Sequence, residues 1–316
     1  MNQIARLNSG IEINFQDEGS QQAPTIILIM GLGAQMTVWP DSLYYGLVEK
    51  GFRVIRFDNR DTGLSSHLPE LGKPSIVASW LSRRIPIKYN APYLLEDMAQ
   101  DVIDLMAVLK IKKAHIVGAS MGGMIGQILA VKHKKKVLSL TCIMSSPRAP
   151  APSLNNIKIA LKLAKRPQKN NREAAINYNI KLNKLIGSPD YPTDNAALRK
   201  QAVFHVDRSY QPDGVQRQLA AITASGCRRH ELKRIKAKTL IIHGEEDPVI
   251  SVKMGKETAS EIKKHKLKIV KGMGHDFPQP LMAKLTKWIS KHVNKAEKKR
   301  LVKKEKSQTS KHLSEL

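Results

Sequence analysis

The first feature of this sequence that could do chemistry is a serine between glycines, Ser120 in the segment GASMG at residues 118–122. The segment follows the aliphatic run AHIVG and opens a helical pattern. The pattern G-x-S-x-G at a strand-to-helix junction predicts a strained turn that lifts the serine hydroxyl above the sheet. The glycines are needed because a Cβ there would collide with the neighbouring strand and helix. This context indicates a nucleophilic serine rather than an ordinary turn.

A serine nucleophile needs a base and an orienting acid, because a hydroxyl attacks poorly at neutral pH. Asp247 follows the aliphatic run KTLIIHG, and His275 follows the last such run within the segment GMGH. Chain order and strand-end positions together predict that Ser120 is the nucleophile, His275 the general base and Asp247 the acid that orients it. Glu245 and Glu246 occupy the same turn and are the rivals for the acid.

The elements that must position these residues are read from the aliphatic runs. The runs typical of buried strands are APTIILIM, FRVIRFD, AHIVG, VLSLTCIM, KTLIIHG and LKIVKG. Helical spacing separates several of them, as at residues 93–109, and this alternation predicts a mostly parallel sheet with helices on both faces. Before them, IARLNS and IEINFQDEG flank Gly10 and predict a hairpin at the start of the sheet.

The strand–helix alternation stops between residues 146 and 237, where the chain becomes helical, basic and interrupted by prolines. We interpret 146–237 as a helical lid inserted into a core domain formed by residues 1–145 and 238–293. Residues 294–316 have few apolar side chains and a high charge, and we expect them to form a basic, disordered tail.

Five segments make the chain resemble the α/β-hydrolase superfamily over roughly residues 10–292, within the aclacinomycin methylesterase-like and proline iminopeptidase-like branch. They are MGLGAQMTVWP, VIRFDNRDTGLSS, VGASMGGMIGQILA, LIIHGEEDPVIS and GMGHDFP. The resemblance implies an α/β-hydrolase fold and hydrolysis of an ester or related acyl bond without a cofactor. It also favours Asp247 as the acid, three residues after Gly244 and before Pro248.

Two backbone N–H groups are expected to bind the negative oxygen of a tetrahedral intermediate. One belongs to Met121, which follows the nucleophile, and the resemblance implies that the other belongs to Leu32. In this loop Met30 stands where related proteins usually have a histidine that braces it.

A second departure from the family pattern follows the next strand, where Asp61 stands in place of the more usual glycine after Arg60. We interpret this stretch as a structural turn near the site, with local pairing between Arg60 and Asp58.

Other functions remain compatible with the same triad: iminopeptidase, carbon–carbon hydrolase or acyltransferase chemistry, or a noncatalytic ligand-binding protein on this fold. Dehalogenases and epoxide hydrolases of this fold need a carboxylate where Ser120 stands. No metal site is expected, since there is no CxxC motif and no histidine has ligand spacing to a carboxylate. The pair Gly31 and Gly33 lacks the third glycine of a dinucleotide fingerprint.

The chain begins without a signal-peptide pattern and has no apolar run of about 18 residues, so we expect a cytoplasmic protein. Its net charge of +26 creates a positive field, but no nucleic-acid module or aromatic interleaving accompanies it, so no specific nucleic-acid partner is expected. The sequence gives no indication of the oligomeric state.

The lid region concentrates both charge and apolar residues, with 18 Lys/Arg against six Asp/Glu over residues 151–240. We expect its apolar side chains to shape a pocket for a small apolar or amphipathic ester and its lysines to lie in solvent. The apolar positions are Ile157, Leu161, Leu185 and Phe204. Weak contact of the basic lid or tail with an anionic membrane is the alternative use of the charge.

If the lid charge steers anionic substrates over long range, salt should slow only those substrates. The Debye length shrinks from about 10 Å at 0.1 M salt to about 3 Å at 1 M, which screens such attraction. We expect kcat/KM for a carboxylate-bearing ester to fall over this range, while a neutral ester of equal length keeps its rate. An equal response of the two esters would mean that the lysines are only a solvated surface.

Overall fold

The computed structural model describes residues 2–75, 78, 91–150 and 166–313 and alternates strands with helices along most of this length. The strands are β1 (Gln3–Arg6), β2 (Glu12–Glu18), β3 (Thr25–Ile29), β4 (Arg53–Phe57), β5 (Ala114–Ala119), β6 (Val137–Ile143), β7 (Lys238–Gly244) and β8 (His265–Val270). The helices are α1 (Asp41–Glu49), α2 (Leu95–Val108), α3 (Met121–Lys132), α4 (Arg172–Ile186), α5 (Asn195–Arg208), α6 (Pro212–Ala224), α7 (Arg229–Leu232), α8 (Val252–Glu261) and α9 (Met282–Leu313). Short 3₁₀ turns lie at Met36–Val38, Pro69–Leu71 and Gln279–Leu281.

The eight strands form one sheet in the order β1-β2-β4-β3-β5-β6-β7-β8. Strands β1 and β2 pair antiparallel, as does β2 with β4, and all pairs from β4 through β8 are parallel. The predicted hairpin and the predicted mostly parallel sheet are therefore confirmed. Because the carboxyl ends of parallel strands meet at one edge, the turns after β3, β5, β7 and β8 open onto the same side of the molecule.

Helices cover both faces of the sheet, which explains the unbroken aliphatic strands. Along β3, Ile27 and Ile29 pack into one hydrophobic core with residues of α2, α3 and α8, whereas Ile26 and Leu28 pack into a second core with α1 and α9. All four side chains are fully buried. The period-2 alternation of side chains along the strand thus fills two cores at once.

Helices α4 to α7 are inserted between β6 and β7. Helices α4 and α5 pack on each other through a small core of their own, formed by Ala175, Ile176, Ala202 and Val206. Two apolar positions predicted to shape the pocket, Ile157 and Leu161, lie outside the described residues. The other two are placed: Leu185 is half-buried on α4, and Phe204 is 53% exposed on α5.

The final helix continues beyond residue 294, where the sequence predicts the start of a disordered tail, and ends at Leu313. Its first part packs into the second core through Leu285, Ile289 and Val293. Further along, the buried Glu297 lies 3.1 Å from His115 Nε2, so the helix remains attached to the sheet past the predicted boundary. Over residues 293–300, buried side chains alternate with exposed lysines.

Across the described part of the chain, no helix combines the length and the apolar character needed to cross a bilayer.

The packing of α9 against the sheet predicts that the free energy of unfolding depends on pH through the protonation of His292. Its Nε2 atom lies 3.2 Å from the carbonyl oxygens of both Leu140 and Lys238. Burial lowers the pKa of His292 to about 4, against the opposing effect of these two carbonyls. The folded-state pKa of His292 is below its unfolded-state pKa. The free energy of unfolding is therefore unaffected at pH 7, and it decreases by up to about 3 kcal/mol as pH falls from about 6.5 to 4.

We expect urea unfolding at pH 7.5 and pH 5 to show a smaller loss of stability in His292→Gln than in the unmodified protein. His265→Gln provides the matched control, because that histidine is an exposed residue of β8. Parallel pH dependence of the unmodified protein and the His292 variant would contradict this role of His292.

Candidate active site

Ser120 occupies a strained turn between β5 and α3, with a backbone φ of +53°. Such a conformation is uncommon for a residue with a side chain and persists only where the surroundings fix it. Here a Cβ on Gly118 would collide with Gly122, and one on Gly122 would collide with the Ile29 carbonyl. The Ser120 amide donates to the Ile143 carbonyl at 2.9 Å, which anchors the turn to β6. The hydroxyl is thereby presented at the carboxyl edge of the sheet.

The structure brings the three residues predicted as a triad into one hydrogen-bonded chain. His275, in the loop after β8, has its Nε2 atom 3.0 Å from Ser120 Oγ. Its Nδ1 atom lies 2.7 Å from Asp247 Oδ2, in the turn after β7. The rivals Glu245 and Glu246 are both exposed, and neither forms a hydrogen bond or salt bridge with His275 in the described residues. Asp247 is therefore the carboxylate that contacts the histidine.

Asp247 is held in its ionised form and in a fixed orientation. Its Oδ1 atom accepts hydrogen bonds from the amides of Val249 and Ile250, each at 2.8 Å. Burial by itself would raise the pKa of Asp247, but attraction to His275 and hydrogen bonds from His243 and His275 outweigh burial and lower it. With Asp247 at Nδ1, Nε2 is the ring nitrogen of His275 that faces Ser120 Oγ.

The loop after β3 passes directly beside Ser120. A Cβ on Gly31 would lie 3.1 Å from the Ser120 Cβ, and Leu32 lines the cavity above. On the other side, Met121 is the first residue of α3, where an amide N–H has no acceptor within the helix. The two residues predicted to supply backbone donors therefore flank Ser120.

A residue that sequence reasoning missed, Gln218 of α6, holds this loop in place. Its Oε1 atom accepts a hydrogen bond from the Gly33 amide, and its Nε2 atom donates to the Arg60 carbonyl and to Thr62 Oγ1, all at 2.8 Å. The side chain is fully buried. Gln218 thus braces the loop from the inserted helices, at the place where the sequence lacks the usual histidine.

The expected local pairing of Arg60 with Asp58 is wrong. Arg60 instead makes a buried, two-pronged contact with Asp101 of α2, and Asp58 pairs with Arg208 of α5 at 2.7 Å. Both partners are remote in sequence and join the turn to different helices. Backbone geometry separates Asp58 and Arg60, which are only two residues apart, while the tertiary fold supplies better-aligned partners.

Asp61, which stands in place of the usual glycine, has a function in this packing. Its φ of +65° explains why glycine is common at this position. Its buried carboxylate accepts two hydrogen bonds from Arg217 of α6, at 2.6 and 2.9 Å, and one from the Tyr93 hydroxyl at 2.8 Å. Aspartate in place of glycine at position 61 therefore provides a salt bridge between this turn and the inserted helices.

The histidine loop is also attached to the insertion. The His275 amide donates to the Ile186 carbonyl at the end of α4, at 2.8 Å. Ser188 Oγ accepts from the Gly274 amide at 2.8 Å and donates to Asp276. Both loops beside Ser120 thus depend on residues contributed by 166–237.

A cavity of about 1240 Å³ opens above Ser120 and His275 and is bounded by the inserted helices. Apolar parts of its wall come from Leu32, Val38, Leu182, Phe204 and Val215. Phe204 therefore takes the position that the sequence predicts for it, whereas Leu185 lies outside this wall. In the described ranges, no cluster of His, Cys, Asp and Glu has the arrangement needed for a metal ion.

With this fold and geometry, the chain belongs to the α/β-hydrolase fold family, whose model matches residues 24–278. It is similar to the rhodomycin D methylesterase DnrP of Streptomyces peucetius, with 24% identity over 92% of this chain and 98% of DnrP. RutD of Variovorax paradoxus (strain S110) is 28% identical, but the match covers only 47% of this chain and 49% of RutD. The methylesterase relative agrees with the branch that the sequence resembles.

Among solved structures, the enol-lactonase of Burkholderia xenovorans LB400 superposes with a TM-score of 0.73. It is 23% identical in sequence, and the match covers 92% of this chain and 100% of the enol-lactonase. This likeness confirms the fold predicted from the sequence.

The bracing by Gln218 predicts a catalytic effect from a residue with no direct role in the chemistry. Gln218→Met preserves length and removes all three hydrogen bonds, so the loop carrying Leu32 should lose its fixed position. We expect kcat for an ester to fall about 10- to 100-fold with little change in KM, since loss of an oxyanion donor costs about 10²- to 10³-fold. Steady-state kinetics on the purified variant provides the measurement.

Gln216→Met is the matched control, because Gln216 lies two residues earlier on the same helix and is only half-buried. Equal effects of the two substitutions, or a change confined to KM, would show that Gln218 does not position the loop.

Proposed function

We propose that this protein is a carboxylic-ester hydrolase that works through an acyl-enzyme intermediate. The observation that carries the proposal is the chain of contacts from Ser120 Oγ to His275 Nε2 at 3.0 Å and from His275 Nδ1 to Asp247 Oδ2 at 2.7 Å. These distances are within hydrogen-bond reach for a nucleophile, its base and the acid that orients the base. The chain of contacts ends at the floor of a cavity large enough for a substrate.

In the acylation half-reaction, His275 Nε2 takes the proton of Ser120 as the oxygen bonds to the ester carbonyl carbon. The carbonyl electron pair moves to its oxygen, which accepts hydrogen bonds from the amides of Met121 and Leu32. As the carbonyl reforms, the bond to the alcohol oxygen breaks, and protonated His275 gives its proton to that oxygen. The alcohol leaves, and the acyl group remains on Ser120.

In the deacylation half-reaction, water takes the place of the alcohol. His275 accepts a proton from water as the water oxygen bonds to the acyl carbon, and the same two amides bind the negative oxygen. The bond to Ser120 then breaks, His275 returns the proton to Ser120, and the carboxylic acid leaves. Asp247 stays ionised throughout and stabilises the protonated imidazole in both halves.

Two of the similar proteins have names that support ester chemistry. The full-length relative in Streptomyces peucetius is named a methylesterase, and the structural neighbour is named an enol-lactonase. The apolar wall formed by Leu32, Val38, Leu182, Phe204 and Val215 favours a small apolar or amphipathic ester.

The proposal predicts that Ser120→Ala abolishes labelling by a fluorophosphonate and lowers ester hydrolysis by about 10⁵- to 10⁶-fold. A rate above that of water should persist, because the oxyanion donors and substrate binding remain. Ser42→Ala is the matched control, since Ser42 lines the same cavity and is exposed. Full esterase activity in the Ser120 variant would falsify the assignment.

A panel of chromogenic esters and amino-acid arylamides, tested on the unmodified protein, separates the alternatives. Faster cleavage of arylamides would indicate iminopeptidase chemistry. Binding without turnover of any member would indicate a noncatalytic ligand-binding protein.

A further inference from the structure

Arg166 reaches the active-site cavity at the far end of the loop that flanks the nucleophile. A Cβ on Gly33 would lie 3.5 Å from Arg166 Nη2, and a Cβ on Gly31 would lie 3.1 Å from the Ser120 Cβ. Arg166 and Ser120 both line the cavity. The guanidinium and the nucleophile therefore face the same space from the two ends of a three-residue loop.

The Arg166 guanidinium has unused hydrogen-bonding capacity. Its Nε atom is shielded from solvent and has no hydrogen-bond partner. Two other arginines next to the cavity are compensated, since Arg208 pairs with Asp58 and Arg217 with Asp61. No carboxylate within the described ranges forms a salt bridge with Arg166, and residues 76–90 and 151–165 contain no Asp or Glu.

Tyrosines hold the guanidinium without neutralising it. Arg166 Cζ lies 5.3 Å from the centre of the Tyr178 ring, which is a cation–π contact with an uncharged side chain. The Tyr210 hydroxyl donates to the Pro167 carbonyl at 3.0 Å, which fixes the chain next to Arg166. Burial lowers the pKa of Arg166, but a guanidinium keeps its proton at neutral pH. The result is a fixed positive charge in the wall of the cavity, without a carboxylate partner among the described residues.

A half-buried charge without a counter-charge is costly, and its natural complement is an anion supplied from outside. We propose that Arg166 binds a carboxylate group carried by the substrate, so that the preferred substrates are esters with a second, free carboxylate. This inference rests on the proposed ester hydrolysis and names its substrate class. One unpaired cation balances one monoanion, and the planar guanidinium matches a carboxylate with two parallel hydrogen bonds.

Lysines at the rim of the cavity do not have this role. Lys184 and Lys200 also line the cavity, but both are exposed. Charges in water are hydrated and screened by salt, whereas a desolvated arginine discriminates at short range. A contact with Arg166 therefore differs in its salt dependence from long-range steering by the lid.

The experiment compares p-nitrophenyl hydrogen glutarate with p-nitrophenyl valerate, two esters of equal length of which only the first has a free carboxylate. In Arg166→Met, kcat/KM for the glutarate monoester should fall about 10- to 100-fold, as expected for loss of a charge-assisted hydrogen bond. The valerate ester should be hydrolysed within about twofold of the normal rate. Lys200→Met removes the same charge from the rim and should leave the preference for glutarate unchanged.

Two further measurements on the same proteins separate ligand binding from a structural role. Free glutarate should inhibit valerate hydrolysis competitively in the unmodified protein and much less in Arg166→Met. The Tm of Arg166→Met without ligand should be higher than normal, because the substitution removes a half-buried charge that has no counter-charge. A structural arginine would give the opposite result, with a lower Tm and both esters slowed equally, and that outcome overturns the proposal.

The same loss of preference in Lys200→Met and Arg166→Met would also overturn it, since general charge would then explain the selectivity. Failure of the proposed function would be visible separately. If neither ester is hydrolysed but glutarate raises the Tm of the unmodified protein and not that of Arg166→Met, the carboxylate site stands without the esterase activity.

Discussion

The strained turn at Ser120 is the constraint around which the rest of the structure is arranged. A serine at φ +53° is held there by contacts that leave no space for a Cβ at Gly118 or Gly122. The cost of such a conformation, on the order of 1–3 kcal/mol, is offset by the surrounding sheet and helix packing. Because the hydroxyl then projects from the carboxyl edge of the sheet, the residues that contact it must come from turns at the same edge, and the turns after β7 and β8 supply Asp247 and His275.

The sheet alone does not hold the active-site loops, and the inserted helices complete the framework. Gln218 fixes the loop next to Gly33, and the Ile186 carbonyl fixes the His275 amide. Buried pairs such as Asp61 with Arg217 attach the insertion to the core. Removal of one partner from such a pair typically costs about 3–5 kcal/mol, because it leaves the other charge buried and uncompensated. The insertion is thus part of the scaffold that positions the reacting groups as well as a cover for the cavity.

The sequence predicted those features that have a local or periodic signal. Aliphatic runs located the parallel strands, and the turn chemistry around Ser120, Asp247 and His275 located the residues that the structure brings together. Gln218 carried no such signal, since its partner Gly33 is 185 residues away. The partners of Asp58 and Arg60 were wrongly expected to be each other for the same reason: salt-bridge choice depends on tertiary geometry, which neither spacing nor composition encodes.

The positive charge of the chain has two physically distinct parts. Most of the +26 belongs to exposed lysines and arginines, whose fields are screened within about 8 Å at physiological ionic strength. Such charges raise the local concentration of every anion and discriminate only weakly between different anions. Arginines shielded from water act differently. A shielded N–H donor weakens the binding of a ligand that offers no acceptor, and it strengthens the binding of a ligand that does offer one. Arg208 and Arg217, next to the cavity, are paired with carboxylates of the protein, so the proposed selectivity for a carboxylate-bearing substrate rests on Arg166, which lines the cavity.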